Sequence, residues 1–181
     1  MKLKALAGLA ALALILTGCG SSASPKADAT PSASASTNPY GGGFVVDPPA
    51  DNDVVLTVSA AKSIDYTMGE IKKLAKTEIE IFEPFVKKNQ KFTVVKMADF
   101  LNAAGFKATD KVNTVALNDY AFVDTDANFV DNNAYIAVLR DGQPIPMDEG
   151  GPIRIVFAND SKYASNLDAW NWSIRTMELG K

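Results

Sequence analysis

A sharp change of composition near residue 50 limits where a chain like this one can fold. Residues 20–50 consist mainly of Ser, Ala, Pro, Thr and Gly, with almost no large apolar side chain before Phe44. Such a segment cannot bury enough surface to offset the entropy that ordering would cost. The sequence therefore places the hydrophobic core in residues 51–181, about 130 residues, which suffice for one domain.

The N-terminal residues have the layout of an export signal. Lys2 and Lys4 precede an apolar run, Ala5 to Leu16, which is shorter than a membrane-spanning helix requires and is typical of a secretory signal peptide. The run ends in "LTGC", whose last residue is Cys19, the only cysteine of the chain. This motif resembles the lipobox of bacterial lipoproteins.

The lipobox resemblance implies cleavage before Cys19 and attachment of lipid to its thiol. An ordinary signal peptide followed by an unrelated cysteine is the alternative. We expect residues 1–18 to be a lipoprotein signal peptide and residues 19–50 to be a lipid-anchored linker, with an end-to-end distance on the order of 30 Å. The protein would then be extracytoplasmic and would contact the cell membrane or outer membrane through the lipid on Cys19.

Charge and residue usage exclude several classes of site. The chain has 18 basic and 21 acidic residues; residues 1–18 contain two lysines and no acidic residue, so 16 basic residues and a net charge of −5 remain without them. The sequence has no basic cluster with interleaved aromatic residues, so a nucleic-acid partner is not expected. Because the chain has no histidine and its one cysteine is Cys19, disulfides and zinc sites are not expected, and we predict no metal site.

Two segments of the domain have the signature of short helices. "TMGEIKKLAK" begins with Thr67 and carries Glu70 three residues later, the spacing of a capping box. "VVKMADFLNAAG" has one apolar helical stripe and ends at Gly105, a favourable C-cap residue. The stripe consists of Met97, Phe100, Leu101 and Ala104.

The other periodic segments predict strands, and after Gly105 we expect strands only. Asp141-Gly142 is typical of a hairpin turn. Together these patterns predict an α+β domain with a mixed or antiparallel sheet and a few short helices. The predicted strands are Val54 to Ser59, "TEIEIFEPF" up to Pro84, Val112 to Leu117, Ala134 to Leu139, Ile153 to Phe157 and Trp170 to Leu179.

Four motifs occur in the order "KFTVVKMADFLNAAGF", "VALNDYAFVD", "YIAVLRDGQPIPMDEGGPIRIVF" and "AWNWSIRTMEL". This order resembles the oxidoreductase molybdopterin-binding domain, the sulfite-oxidase fold, in its small stand-alone bacterial form, over about Asp53 to Leu179. The family binds molybdenum through a cysteine thiolate and holds the pterin phosphate with histidine, arginine and other polar groups. This sequence lacks every histidine, and Cys19 lies outside the domain, so the molybdenum-ligand cysteine is missing.

These departures predict a domain without a cofactor and without catalytic residues, although the resemblance itself is to molybdopterin-dependent oxidoreductases. We expect it to bind a small ligand or a protein partner outside the membrane. One alternative is a redox protein that still docks a molybdopterin-type cofactor without a thiolate ligand. A second alternative is a purely structural tethered domain.

The stretch "MDEGGPIRIVF" contains the first candidate binding residue, Arg154. If it is buried, its guanidinium needs a carboxylate or carbonyl partner, and an internal tie and an anion contact inherited from the cofactor pocket are both open. We expect Gly150 or Gly151 to require a positive φ and Pro152 to set the entry to the strand.

Further candidates are Asp119 and Tyr120, which fall where the family resemblance implies a turn at the pocket edge. A turn followed by a core tyrosine is the alternative. Trp170 and Trp172, two apart in a predicted strand, share a face and serve either core packing or a stacking platform. "DTDANFVD" begins like a calcium loop, but Phe129 replaces the tight-turn glycine, which leaves at most a weak cation site.

Overall fold

A computed structural model of the chain describes residues 47–181. The expected signal peptide, Cys19 and most of the expected linker lie outside the described residues. None of the helices in this part of the chain is long and apolar enough to cross a membrane. Its three α-helices are α1 Met68–Leu74, α2 Met97–Ala104 and α3 Asp126–Asp131. Its strands are β1 Val54–Ser59, β2 Ser63–Thr67, β3 Thr77–Glu83, β4 Lys88–Lys96, β5 Lys111–Ala116, β6 Ala121–Thr125, β7 Ala134–Arg140, β8 Gln143–Pro144, β9 Arg154–Phe157 and β10 Ile174–Leu179.

The strands form two sheets, and the predicted α+β class is confirmed. The first sheet has the order β2-β1-β10-β5-β6, in which β1 and β10 are parallel and the other neighbours are antiparallel. The second sheet runs β3-β4-β7, and both β8 and β9 pair with β7. The Asp141-Gly142 hairpin joins β7 to β8, with both turn residues at positive φ, as predicted.

The two predicted helices form, with their predicted caps. The Thr67 side chain accepts a hydrogen bond from the backbone N–H of Glu70, whose carboxylate accepts from the N–H of Thr67. The apolar stripe of α2 is buried, and Gly105 ends the helix with φ of 84°. Because α2 contacts β1 of the first sheet and β4 and β7 of the second, its stripe lies in the core between them. The valines before Met97, however, belong to β4 and not to the helix.

The prediction that only strands follow Gly105 is wrong, because residues 126–131 form α3. Thr125 caps this helix by accepting a hydrogen bond from the N–H of Asn128. The carboxylate of Asp124 accepts hydrogen bonds from the N–H of Thr125, the amide of Asn128 and the hydroxyl of Tyr163. The segment that resembles a calcium loop is therefore a capped helix, and the carboxylate of Asp124 before it already accepts three hydrogen bonds.

The last strand is shorter than predicted, since β10 begins at Ile174 and not at Trp170. Trp170 ends a short 3₁₀ helix, Leu167–Ala169, and Ser173 has a positive φ of 51°. The carbonyl of Asn171 accepts from the N–H of Ile155 in β9, so residues 170–173 cross from the second sheet to the first. The interpretation of Trp170 and Trp172 as neighbours on a strand face is therefore wrong.

Candidate binding site

The centre of the site is a buried ion pair between the last residue of β3 and the first residue of β9. Arg154 opens β9 and Glu83 closes β3, with relative exposures of 2% and 1%. Nη2 of Arg154 lies 2.8 Å from Oε1 of Glu83, and Oε2 of Glu83 accepts the backbone N–H groups of Phe85 and Val86. The carboxylate partner that a buried Arg154 requires is therefore Glu83, a residue that the sequence did not single out.

Three aromatic rings surround this guanidinium. Its Cζ atom lies 4.3 Å from the ring centroid of Trp172, 5.8 Å from that of Phe85 and 5.9 Å from that of Trp170. The rings of Phe85 and Trp172 meet at 4.8 Å with an interplanar angle of 64°. We call Glu83, Arg154 and these three aromatic residues the arginine cluster. Thus the fold brings Trp170 and Trp172 together, although no strand face does so.

The glycine turn before β9 is pressed against this cluster. Gly150 has φ of 90°, and a Cβ atom added to it would lie 2.8 Å from ring atoms of Trp172. A Cβ on Gly151 would lie 1.9 Å from the carbonyl oxygen of Ile145. The expectation that one glycine needs a positive φ is confirmed for Gly150. Gly151 is required because the backbone of residue 145 approaches it too closely for any side chain.

A cleft of about 690 Å³ opens over the arginine cluster. Its apolar lining comes from Phe85, Trp170 and Trp172 of the cluster, with Tyr120 beside them. Leu117, Met147 and Leu167 complete the apolar part of the wall. The cleft thus has an aromatic floor behind which lies a guanidinium whose charge is balanced by Glu83.

The polar lining of the cleft consists mainly of acceptors. Asn171 is fully buried, and its amide N–H₂ donates to the carbonyl oxygen of Thr114 at 2.9 Å, which fixes the orientation of the amide. Its Oδ1 atom has no hydrogen-bond partner among residues 47–181. The carboxylates of Asp148 and Asp168 also line the cleft and make no hydrogen bond or ion pair with the described part of the chain. Asn118 and Ser173 are the remaining polar residues of the lining.

Tyr120 stands at the edge of the cleft and is 42% exposed, so it is not a core tyrosine. Its hydroxyl donates to the backbone carbonyl of Asp168 at 2.9 Å. Partial burial, and secondarily the nearby Asp168 carboxylate, raises the pKa of this phenol above its usual value. We call Tyr120, Asp148 and Asp168 the rim.

Asp119 does not line the cleft. Its backbone has a positive φ of 65°, and its carboxylate makes an exposed ion pair with Arg175 at 2.5 Å. Of the five predicted binding residues, Tyr120, Trp170 and Trp172 line the cleft, Arg154 lies behind the rings, and Asp119 faces elsewhere. Sequence reasoning missed Phe85, Asp148, Asp168 and Asn171; the one available signal was the polar Asn171 between two tryptophans.

These residues do not fit a molybdopterin cofactor. The only cysteine of the chain is Cys19, outside the domain, so a thiolate ligand is missing. Arg154 is committed to Glu83 and buried, and the two unpaired carboxylates of the cleft would repel a pterin phosphate. Within residues 47–181, no group of three or more Cys, Asp or Glu side chains is arranged to hold a metal ion.

The geometry of the cleft is the basis for a functional proposal. The chain has an α+β fold and a defined cleft, and within residues 47–181 the cleft's Asn171 Oδ1 has no hydrogen-bond partner. No protein-family model matches the sequence, and no curated protein matches it.

Proposed function

We propose that this protein is an extracytoplasmic lipoprotein whose domain binds a small ligand in the cleft above the arginine cluster. The "LTGC" motif at Cys19 and the Ser, Ala and Pro-rich composition of residues 20–50 support the anchor and the linker. The order of the four motifs supports a relationship of the domain to the sulfite-oxidase fold, without its cofactor. Cleavage before Cys19 would leave the domain tethered to the membrane surface.

The observation that carries the binding proposal is the combination of shape and lining in one place. The cleft volume of about 690 Å³ lies within the usual range for small-molecule sites, roughly 300 to 1,000 Å³. Aromatic surface provides apolar contact area, and a small number of polar groups provides orientation. A protein partner would be better served by a flat or convex surface, so the concave lining favours a small molecule.

Binding without catalysis fits the residue types. The chain contains no histidine, so general acid–base chemistry near neutral pH would have to come from other groups. The buried carboxylate of the site, Glu83, is already paired with Arg154 and with two backbone N–H groups. We therefore propose a receptor or carrier role and not an enzyme.

The anchor is tested by Cys19→Ser expressed with the complete leader. We expect the variant to appear in the soluble extracytoplasmic fraction, while the parent stays in the membrane fraction and incorporates labelled fatty acid. Ser22→Ala, three residues further along, is the matched control and should behave like the parent. Membrane association and labelling unchanged in Cys19→Ser would contradict the lipoprotein assignment.

The cleft is tested by filling it. Leu167 lines the cleft and is 47% exposed, whereas Leu179 is 50% exposed on β10 outside it. A thermal-shift screen of the full chain against a metabolite library should find a stabilising compound. Its effect should be lost in Leu167→Trp and kept in Leu179→Trp. Equal shifts in both variants would place binding elsewhere, and a screen without any stabilising compound would favour the purely structural alternative.

A further inference from the structure

The unpaired polar atoms of the cleft define what a ligand must bring. The amide N–H₂ of Asn171 donates to the carbonyl of Thr114, and this orientation leaves Oδ1 without a hydrogen-bond donor among residues 47–181. The carboxylates of Asp148 and Asp168 add further acceptors without partners in the described chain. Oδ1 of Asn171 is buried, whereas Asp148 is half-buried and Asp168 exposed, so the two carboxylates are the acceptors that a ligand can reach. A complementary ligand therefore carries hydrogen-bond donors for them.

The aromatic floor requires, in addition, a flat apolar face on the ligand. Phe85 and Trp172 are half-buried and Tyr120 is exposed, so part of each ring surface faces the cleft. Aromatic rings of this kind bind the C–H face of a saturated ring by dispersion and by weak C–H contacts with the π electrons. One apolar face with donors around its edge is the chemistry of a sugar ring.

The charges of the site argue against an anionic ligand, and the rings offer a cationic ligand little. A cation on the floor would gain little from the rings, because the guanidinium of Arg154 already lies within 6 Å of the centroids of Phe85, Trp170 and Trp172. An anion would meet the unneutralised carboxylates of Asp148 and Asp168, while the positive charge of Arg154 is neutralised by Glu83. A neutral ligand avoids the repulsion that an anion meets and does not depend on cation–π contacts with rings that Arg154 already approaches.

Resting on the proposed ligand-binding function, we infer that the cleft binds a neutral sugar. Its ring lies on the aromatic floor, and its hydroxyl groups donate to the carboxylates of Asp148 and Asp168. Tyr120 acts as a positioning residue, because its hydroxyl holds the backbone of Asp168 at the rim. The volume of the cleft accommodates one or a few sugar units.

The experiment uses the full chain in a polyoxyethylene detergent, which carries no sugar headgroup. Saturation-transfer NMR is recorded with glucose, galactose, mannose and N-acetylglucosamine, and with tetramethylammonium as the cationic probe. Binding of sulfate, the anionic probe, is measured by calorimetry. We expect saturation transfer to the ring protons of at least one sugar and no binding of tetramethylammonium or sulfate. Dissociation constants are then measured for the sugar that binds.

Variants of the rim assign the contacts. Asp148→Asn and Asp168→Asn should each weaken the sugar about tenfold, as expected for a lost hydrogen bond to a charged group. Asp131→Asn removes an exposed carboxylate at the end of α3, outside the cleft, and should leave the dissociation constant unchanged. Melting curves without sugar should be alike for all three variants, which separates binding effects from folding.

The outcomes distinguish a failure of the sugar inference from a failure of ligand binding in the cleft. A sugar that binds equally to the parent and to both rim variants overturns the inferred contacts. Binding of tetramethylammonium or sulfate but of no sugar, abolished by Leu167→Trp, overturns the sugar inference and leaves ligand binding intact. No binding of any probe, together with a metabolite screen without a stabilising compound, overturns both.

Discussion

The arginine cluster and the rim face the same cleft, but the polar groups of the cluster are paired with each other and the carboxylates of the rim are not. In the cluster, Glu83 and Arg154 are buried and neutralise each other, and the second oxygen of Glu83 is held by two backbone N–H groups. At the rim, the carboxylates of Asp148 and Asp168 make no hydrogen bond or ion pair within residues 47–181. The cluster therefore stabilises the fold, whereas the rim keeps its acceptors available.

The difference shows how to read a charged residue beside a cleft. For Arg154 the sequence left an internal tie and an anion contact open, and burial beside Glu83 selects the internal tie. The rim residues looked ordinary in the sequence, because a surface carboxylate has no distinguishing pattern. Stability should consequently respond to changes in the cluster far more than to changes at the rim.

The largest expected effect comes from breaking the cluster with Glu83→Ala. The variant leaves the guanidinium of Arg154 buried without a carboxylate and should lower the free energy of unfolding by about 3 to 5 kcal/mol. Urea unfolding followed by tryptophan fluorescence measures the change. The double variant Glu83→Leu with Arg154→Met, which leaves no buried charge, should recover part of the loss. A cost below about 1 kcal/mol for Glu83→Ala would contradict the structural role of the pair.

A second, smaller effect is expected at Gly150, which packs against the indole ring of Trp172. Gly150 and Gly142 both have a positive φ, but a Cβ on Gly142 has no heavy atom within 4 Å, whereas one on Gly150 meets the indole ring. Gly142→Ala should therefore cost about 1 to 2 kcal/mol, from backbone strain alone. Gly150→Ala should cost about 1 to 3 kcal/mol more, from displacement of the ring. Equal melting temperatures for the two variants would refute a packing role for Gly150.

At the rim, Tyr120→Phe removes one hydrogen bond and little else. Because the hydroxyl donates to the backbone of Asp168 in a partly exposed setting, the free energy of unfolding should fall by about 0.5 to 1.5 kcal/mol. Its absorbance titration gives a second measurement, since the phenol of Tyr120 should ionise above the usual tyrosine range in the parent. Burial also raises the pKa values of the Tyr66 and Tyr163 phenols, so an unchanged high-pH titration curve in Tyr120→Phe would show that Tyr120 is not among the late-ionising phenols.

The smallest effect is expected for Asp119→Asn, next to the rim but outside the cleft. Asn tolerates the positive φ of this position, so the substitution tests only the exposed ion pair with Arg175. Such pairs contribute little, and we expect a change within about 0.5 kcal/mol that diminishes in high salt. A loss as large as that of Glu83→Ala would erase the contrast between buried and exposed pairs.

Local patterns in the sequence predicted those elements whose signals are local. The capping box of Thr67 and Glu70 and the stripe of α2 were correct because caps and helical periodicity act within a few residues. β4 was missed because its valines, which lead directly into Met97, continue the apolar spacing of the helix. α3 was missed because its short length leaves little periodicity to detect.

The candidate site was less predictable, because its members come from distant segments. Phe85 follows β3, Tyr120 precedes β6, and Trp172 precedes β10, so no spacing in the sequence relates them. Trp170 and Trp172 were selected for a strand that does not extend to them. Hydrogen bonds from Ile155 and Leu117 to the backbone of residues 171 and 173 hold this segment between the sheets, and such bonds have no local signature.

By itself, the sequence determined the α+β class, two capped helices and the glycine turn, because composition, periodicity and backbone freedom are local properties. Only the tertiary structure decided which carboxylate neutralises Arg154, which acceptors stay unpaired, and that two tryptophans outside any strand share one cleft. These outcomes depend on burial and on contacts between residues far apart in the chain. Both arise only when the two sheets pack around α2.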